Sequence, residues 1–479
     1  MNRKFKEGRS HSRSHSLRIL RSHSRSILRS YLAAACLLLA SATWAQQSSP
    51  ATPNAAVPAY HDFSIAQAID YATKNSVVVK NALLDYQIQE QANRATTSQA
   101  LPQITGSLGF TQYTQVPVTP IPGGFFPGTV AGKVYTVAFA LPYNNSAGIT
   151  LKQVLFDGQV VVGLQARKAS LAYYQKKEEV TEQLVRVNIY KVYYQLLVAK
   201  SQMGQVDANI TNQEAQLHSS SEMFKNGFAE QLDVDKATVQ LSNLQTERIN
   251  LQLSIDNGYL GLKVLMGMPV RDSLRLTDTL TDDMIRNATL SDDYKYTDRR
   301  EFQLMMTSKS LGEYNVKRYQ KAYIPTLNLN AVYQQNQYET KLDFTAPMSW
   351  FPTSYFGLSL NVPIFDGFYK AANIRQAKLQ LQQTENDMDS LKIRIDNDVR
   401  QSQIQFSSAI ATLDFQKKNM ELAQKVYDQT RKKFEQGLGS NTEITTAFAD
   451  QQTAQYNYFN ALYSAVIAKV DYLYAIGKL

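Results

Sequence analysis

Residue types suited to chemistry are scarce in this sequence. The single cysteine, Cys36, lies in an apolar stretch near the N-terminus, and beyond residue 45 the only histidines are His61 and His218. Disulfides, thiol nucleophiles and structural zinc sites need cysteine, and general-base catalysis most often uses histidine. We therefore expect no catalytic site, no metal site and no cofactor, and a secreted enzyme is the weakest hypothesis.

A doubled tripeptide is the clearest motif. Phe-Asp-Gly occurs twice, about 210 residues apart, each time between an alternating apolar stretch and a long tract with few glycines. An aspartate there suits a helix N-cap, because its carboxylate accepts backbone N–H groups, and the glycine permits a tight change of direction. We interpret both copies as strand-to-helix hinges, with a plain surface turn as the alternative. The residues are Phe156, Asp157, Gly158, Phe365, Asp366 and Gly367.

The positive charge is concentrated at the N-terminus. Residues 1–45 contain nine lysines and arginines and one acid, Glu7, and so carry nearly all of the formal charge of +9. A basic segment followed by a short apolar core and small residues predicts a signal peptide that is cleaved after Ala42 or Ala45. An uncleaved anchor and lipidation at Cys36 are the alternatives. The nearly neutral remainder argues against a nucleic-acid partner.

The chain reads as an internal duplication. Pro102 matches Pro325, and Gly227 matches Gly437, with the Phe-Asp-Gly copies between them in the same order. We therefore expect a first repeat over 62–267, a linker over 268–296 and a second repeat over 297–479. The first repeat has about 14 extra residues in a Pro/Gly-rich loop, where long insertions are tolerated.

Four stretches alternate between apolar and polar residues, as strands with two different faces do. A soluble two-faced sheet would show the same pattern. However, the chain is expected to be exported, and four strands are too few to close a barrel. A bilayer does not tolerate open strand edges, so the strands would have to be pooled with other copies of the chain. The four stretches are 103–111, 149–155, 326–333 and 356–364.

Long helices are predicted between the strands. The longest begin after the Phe-Asp-Gly copies, and about 68 residues at 1.5 Å per residue make a rod of roughly 100 Å. Each is followed by a Gly-centred turn and a helix of about half that length, and a further helix precedes the first strand of each repeat. The expected helices are 65–100, 158–225, 230–266, 298–322, 369–435 and 442–476.

Taken together, these motifs resemble the TolC family of trimeric outer-membrane factors. The likeness rests on the Leu-Pro-Gln before the first strand, the doubled Phe-Asp-Gly, "TDRREFQLM" at 297–305, and "NGFAEQLDVDKA" at 226–237. It implies a mainly α fold with a twelve-stranded outer-membrane β-barrel, four strands per protomer, continuing into a periplasmic α-helical barrel. It also implies a non-enzymatic exit duct of a tripartite efflux pump or a type I secretion system.

The resemblance implies partners as well: a homotrimer in outer-membrane lipid, a periplasmic adaptor and an inner-membrane transporter. It places the two Gly-centred turns at the periplasmic tips, where they would dock the adaptor or form the gate. Asp233 and Glu443 would cap the returning helices or form an acidic ring that favours cations. The implied tip residues are Gly227, Leu232, Asp233, Val234, Gly437, Thr442, Glu443 and Ile444.

Two tip positions depart from the family pattern. Gly439 and Thr446 stand where some members carry an Arg and an acid that help to close the channel. The closing contacts therefore do not transfer, and the sequence leaves the cargo open among drugs, metal ions and polypeptides. The rival hypothesis is a periplasmic coiled-coil adaptor, which would have one helical hairpin and no full-length duplication.

Overall fold

The computed structural model describes residues 59–280, 285, 294–341 and 349–479. The expected signal peptide, Cys36 and much of the expected linker lie outside these residues.

Seven α-helices occupy most of the described residues. The two longest begin just after the Phe-Asp-Gly copies, as predicted. The helix expected over 65–100 is instead two helices, divided at the buried Ser76. The helices are α1 (Ile65–Asn75), α2 (Val77–Ser98), α3 (Gly158–Lys225), α4 (Gln231–Met266), α5 (Arg300–Lys321), α6 (Tyr369–Glu435) and α7 (Asn441–Ala475).

The break between α1 and α2 receives the end of α4. Gly267 has φ 70°, and a Cβ there would lie 2.3 Å from the carbonyl oxygen of Asn75. Gly477 ends the second repeat in the same way, with a Cβ position 2.7 Å from the carbonyl oxygen of Asp298. Glycine is needed at both positions because the two backbones approach so closely. Each repeat therefore closes on its own N-terminal end.

The strands form three separate sheets in the described residues. The main antiparallel sheet has the order β2-β5-β7-β8, and these four strands were predicted. The parallel pair β1–β6 and the hairpin β3–β4 were not predicted, because runs of four residues show too little periodicity. The strands are β1 (Tyr60–Phe63), β2 (Gln103–Gln112), β3 (Thr119–Pro122), β4 (Val134–Val137), β5 (Tyr143–Phe156), β6 (Ser273–Leu276), β7 (Thr326–Glu339) and β8 (Phe351–Asn361).

Strand register gives the main sheet one apolar and one polar face. Opposite residues in an antiparallel pair share a face. The pairs Ile104↔Leu151, Leu151↔Ala331 and Ala331↔Phe356 form one apolar row across all four strands. The opposite face carries Thr and Ser from β2, Asn from β7, and Ser and Asn from β8. The apolar face is open: Leu108 is 89% exposed and Phe356 84% exposed.

The helices pack as layers around a few buried clusters. Near the sheet, α2 packs on α3, α3 on α5, and α5 on α6. From Lys191 to the end of α3, α4 packs on α3, α3 on α7, and α7 on α6, so α4 and α6 are the outer helices. One cluster, around Leu244, Tyr427, Phe434 and Phe448, draws on α4, α6 and α7 near the Gly-centred turns.

Candidate functional site

The first Phe-Asp-Gly lies where β5 becomes α3. Phe156 is the last residue of the strand, and Asp157 is the N-cap of the helix. The Asp157 carboxylate accepts hydrogen bonds from the backbone N–H groups of Gln159 at 2.7 Å and Val160 at 3.4 Å. Gly158 begins the helix, and a Cβ there would lie 2.9 Å from the carbonyl oxygen of Lys321 at the end of α5. Glycine is required at position 158 because the Lys321 carbonyl leaves no room for a Cβ.

The second copy is built differently, and the prediction of Asp366 as an N-cap was wrong. Gly367 and Phe368 are both left-handed, with φ 63° and 65°, and Phe368 is the N-cap of α6. These two residues separate Asp366 from the helix start. Its carboxylate instead accepts hydrogen bonds from the backbone N–H and the ammonium group of Lys370 at 3.1 and 3.0 Å. Glycine is favoured at position 367 because of its left-handed φ angle.

The two Gly-centred turns have the same geometry. Gly227 (φ 76°) and Gly437 (φ 73°) follow the ends of α3 and α6. The next residue donates its backbone N–H back into the preceding helix in each turn: Phe228 to Met223 at 2.8 Å, and Leu438 to Lys433 at 2.9 Å. This is the usual left-handed helix ending, in which the residue after the glycine donates its backbone N–H to a carbonyl five residues earlier.

The residues after these glycines, Phe228 and Leu438, are a matched pair of exposed apolar side chains, 85% and 77% exposed. Neither was singled out in the sequence, although both follow the glycine that ends a long helix. An apolar residue directly after such a glycine is the sequence signal that could have predicted them.

The other predicted turn residues divide by burial. Leu232 and Thr442 are exposed and Val234 is half-buried, whereas Ile444 is 3% exposed within the cluster around Tyr427. Ile444 therefore holds the turn to the helical core and offers no surface to a partner.

The acids at the turns have different local roles. The Asp233 carboxylate accepts a hydrogen bond from the backbone N–H of Glu230 at 3.4 Å, which helps cap α4. In α7 the N-cap is Ser440, whose hydroxyl accepts from the Glu443 backbone N–H at 3.2 Å. Glu443 lies in the first turn, where a carboxylate interacts favourably with the helix dipole. Asp233 also accepts a hydrogen bond from the side-chain amide of Asn441, which links the two turns.

A buried arginine fastens the second repeat near its closing glycine. Arg299 is 4% exposed, donates to the Ala475 carbonyl at 3.1 Å, pairs with Glu301 at 3.2 Å, and stacks 4.5 Å from the Tyr474 ring. Tyr474 also donates to Glu301. Burial alone would raise the pKa of Glu301, but the hydrogen bonds from Arg299 and Tyr474 outweigh it and hold that pKa below its ordinary value.

None of the helices in the described ranges is long and apolar enough to cross a bilayer. A family model described as outer membrane efflux protein matches residues 68–268 and 299–477, one segment in each half of the chain. This chain belongs to the outer membrane efflux protein family. It is accordingly an outer-membrane exit duct that extends into the periplasm.

Outer-membrane and secretion proteins of other bacteria are similar to this chain along most of its length. The outer membrane efflux protein BepC of Brucella suis is 23% identical over 424 residues, covering 87% of this chain and 86% of BepC. The proteases secretion protein PrtF of Dickeya chrysanthemi is 21% identical over 341 residues, covering 70% and 73%. The outer membrane protein TolC of Salmonella enteritidis is 22% identical, covering 70% and 69%.

Solved structures of membrane channels share the fold. CusC superposes with a TM-score of 0.70 at 15% identity, covering 89% of this chain and 95% of that chain. The open state of the MtrE outer membrane channel of Neisseria gonorrhoeae gives 0.64 at 15% identity, covering 90% and 94%.

Proposed function

We propose that three copies of this chain form one passive duct, with a twelve-stranded barrel in the outer membrane and a helical tunnel below it. The observation that carries the proposal is the main sheet. Its apolar face is exposed, and β2 and β8 each lack a second strand partner among the described residues. A strand edge facing lipid leaves N–H and C=O groups without hydrogen bonds, which costs several kcal/mol per group, by order of magnitude. Joining β8 of one copy to β2 of the next removes every edge.

The outer helices support the same ring. The exposed apolar side chains of α4 include Leu253 and Leu260, seven residues apart. Those of α6 include Ile393, Ile404 and Phe415, eleven residues apart. Apolar residues at such spacings form a continuous stripe along one side of a helix. A head-to-tail ring would pack the α4 stripe of one copy on the α6 stripe of the next, and a repeated heterologous contact closes a ring.

The turns between the long helices are the proposed docking site for a periplasmic adaptor, which would join the duct to an inner-membrane transporter. Phe228 and Leu438 supply exposed apolar anchors beside the acids Asp233 and Glu443. Buried apolar anchors surrounded by polar residues are typical of protein interfaces. The named relatives include an efflux protein and a protease secretion protein, so the duct serves an efflux pump or a type I secretion system. We infer no catalytic activity.

A matched pair of variants on β8 tests the barrel. Leu358→Lys places a charge on the apolar face, and Ser359→Lys places the same charge on the opposite face one residue later. A lysine at the lipid midplane costs about 2–4 kcal/mol. Leu358→Lys is expected to abolish the trimer on unboiled gels and the conductance in planar bilayers, while Ser359→Lys keeps both. A wild-type protein that is folded but monomeric and non-conducting would overturn the proposal.

Docking is tested separately, by copurification of periplasmic proteins with the assembled duct. The double variant Phe228→Ser/Leu438→Ser is expected to lose the adaptor and keep the trimer. Tyr60→Ser is the control, because Tyr60 is also 88% exposed but lies at the start of β1. Retention of the adaptor by the double variant would exclude the turns as its docking site.

A further inference from the structure

The hairpin β3–β4 belongs to the Pro/Gly-rich insertion of the first repeat. It lies in the connection 113–142, which joins β2 to β5 at the end of the sheet away from the helices. Its two strands pair with each other and with no strand of the main sheet in the described residues. The backbone N–H of Tyr113 donates to the carbonyl of Pro142 at 2.8 Å, which closes the base of the connection.

The hairpin has a defined shape. The backbone N–H of Gly123 donates to the Lys133 carbonyl at 2.6 Å, and a Cβ on Gly123 would lie 1.9 Å from the Val130 carbonyl oxygen. The Thr129 hydroxyl accepts from the Gly124 backbone N–H at 2.9 Å. These bonds link the two sides of the hairpin tip.

That shape exposes apolar surface. Phe125 and Phe126 form an edge-to-face pair with ring centroids 5.8 Å apart, and Phe125 is 78% exposed. Val134 and Phe139 are 70% and 69% exposed. A two-stranded hairpin alone is marginally stable in water, and clustered exposed apolar side chains mark a contact surface.

The charge of the connection 113–142 and its position next to β2 favour another copy of the chain as the partner of this apolar surface. The whole connection 113–142 contains one charged residue, Lys133. Its electrostatic attraction to the phosphates of outer-membrane lipids is therefore weak. It leaves directly from β2, the edge strand that meets the neighbouring copy in the proposed ring. Ring closure brings three identical hairpins to the same end of the barrel at high effective concentration.

We propose that the three hairpins pack against one another through their apolar tips and narrow the extracellular mouth of the duct. This inference rests on the trimeric ring proposed above. It gives the channel a constriction at the end opposite the Gly-centred turns, built from the insertion that the second repeat lacks. Apolar constrictions obstruct ion passage by excluding water.

Thiol cross-linking tests the contact in the full-length protein carrying Cys36→Ser. A short bis-maleimide is expected to join protomers through Phe125→Cys but not through Leu108→Cys, a β2 position of comparable exposure on the apolar face. Bromine-labelled lipids should quench a fluorophore at position 108 and not one at position 125. Quenching at position 125 would assign the hairpin to lipid and overturn the proposal.

A hairpin deletion provides the second readout. Replacing residues 116–139 by a short Gly/Ser turn is expected to raise single-channel conductance on the order of twofold while the trimer persists on unboiled gels. An unchanged conductance, or Phe125→Cys that stays uncross-linked in an intact trimer, would overturn the hairpin contact and leave the duct standing. A wild type that forms no trimer would instead overturn the duct itself.

Discussion

The side-chain amide of Asn441, at the start of α7, donates a hydrogen bond to the carboxylate of Asp233 in the first turn of α4. This bond joins the two helix turns, which are about 210 residues apart in the chain. The same carboxylate also accepts from the Glu230 backbone. One acid therefore serves both its own helix and the contact between the repeats.

If the turns form a gate, breaking this bond should favour opening. Asn441→Ala removes the amide and leaves the capping of α4 intact, so we expect a higher open probability in planar bilayers and an unchanged trimer. Asp235→Ala is the control, since Asp235 accepts from Gln231 within α4 alone. Equal open probabilities for wild type and Asn441→Ala would show that this bond does not hold the gate.

The two hinge glycines should respond differently to substitution. At Gly367 the left-handed angle disfavours alanine by about 1–2 kcal/mol, and asparagine tolerates that angle better. At Gly158 the obstacle is the Lys321 carbonyl. The Cβ of alanine already crowds it and is expected to destabilise the fold by about 1–3 kcal/mol. The larger side chain of asparagine should destabilise the fold more.

Denaturant unfolding of the four variants Gly158→Ala, Gly158→Asn, Gly367→Ala and Gly367→Asn checks this reversal. The same rank order at both positions would contradict the difference described here.

Glu301 predicts a pH dependence. The pKa of Glu301 is lowered in the folded protein from its ordinary value of 4.5. Its contribution to stability is therefore fully present above the pKa of the unfolded chain. That contribution is lost as the pH falls through the lower pKa of the folded protein. The difference in unfolding temperature between wild type and Glu301→Gln should therefore shrink as the pH is lowered from about 6 to about 3. Glu214→Gln, at an exposed position of α3, controls for loss of one acid. A difference that grew towards low pH would contradict the sign.

A buried amide pair links α3 to α7. The Asn209 side-chain amide donates to that of Gln455 at 2.8 Å, and both residues are buried. Asn209→Leu leaves Gln455 without this donor and is expected to destabilise the protein by about 1–3 kcal/mol. Adding Gln455→Leu should recover most of that loss, because replacing both partners removes the unsatisfied group. A double-mutant cycle from denaturant unfolding measures the coupling, and strict additivity would contradict it.

Sequence patterns predicted the long elements well because their signals are repeated many times. The bounds of α6 agree with the expected helix, as do those of α3, since each extends over more than 65 residues. Short elements carried too little signal, so β1, β6 and the hairpin β3–β4 were missed. The break at Ser76 was also missed. The end of α4 packs against it from nearly 200 residues away, a contact that local spacing does not specify.

The sequence predicted where the two candidate turns lie, but not which of their side chains are exposed. The glycines at 227 and 437 mark both turns, but burial separates Ile444 from Leu232, and exposure adds Phe228 and Leu438. Burial depends on neighbours from other helices, which local spacing does not specify.

The amino-acid order alone specifies the duplication, the long helices, the two-faced strands and the turns, because each follows from the local periodicity and backbone preferences of nearby residues. Folding in three dimensions settles why Gly158 and Gly367 are glycines, which acid caps which helix, and that Asn441 reaches Asp233. Those outcomes depend on backbones and side chains from distant segments meeting within a few ångströms, and a one-dimensional pattern contains no such distances.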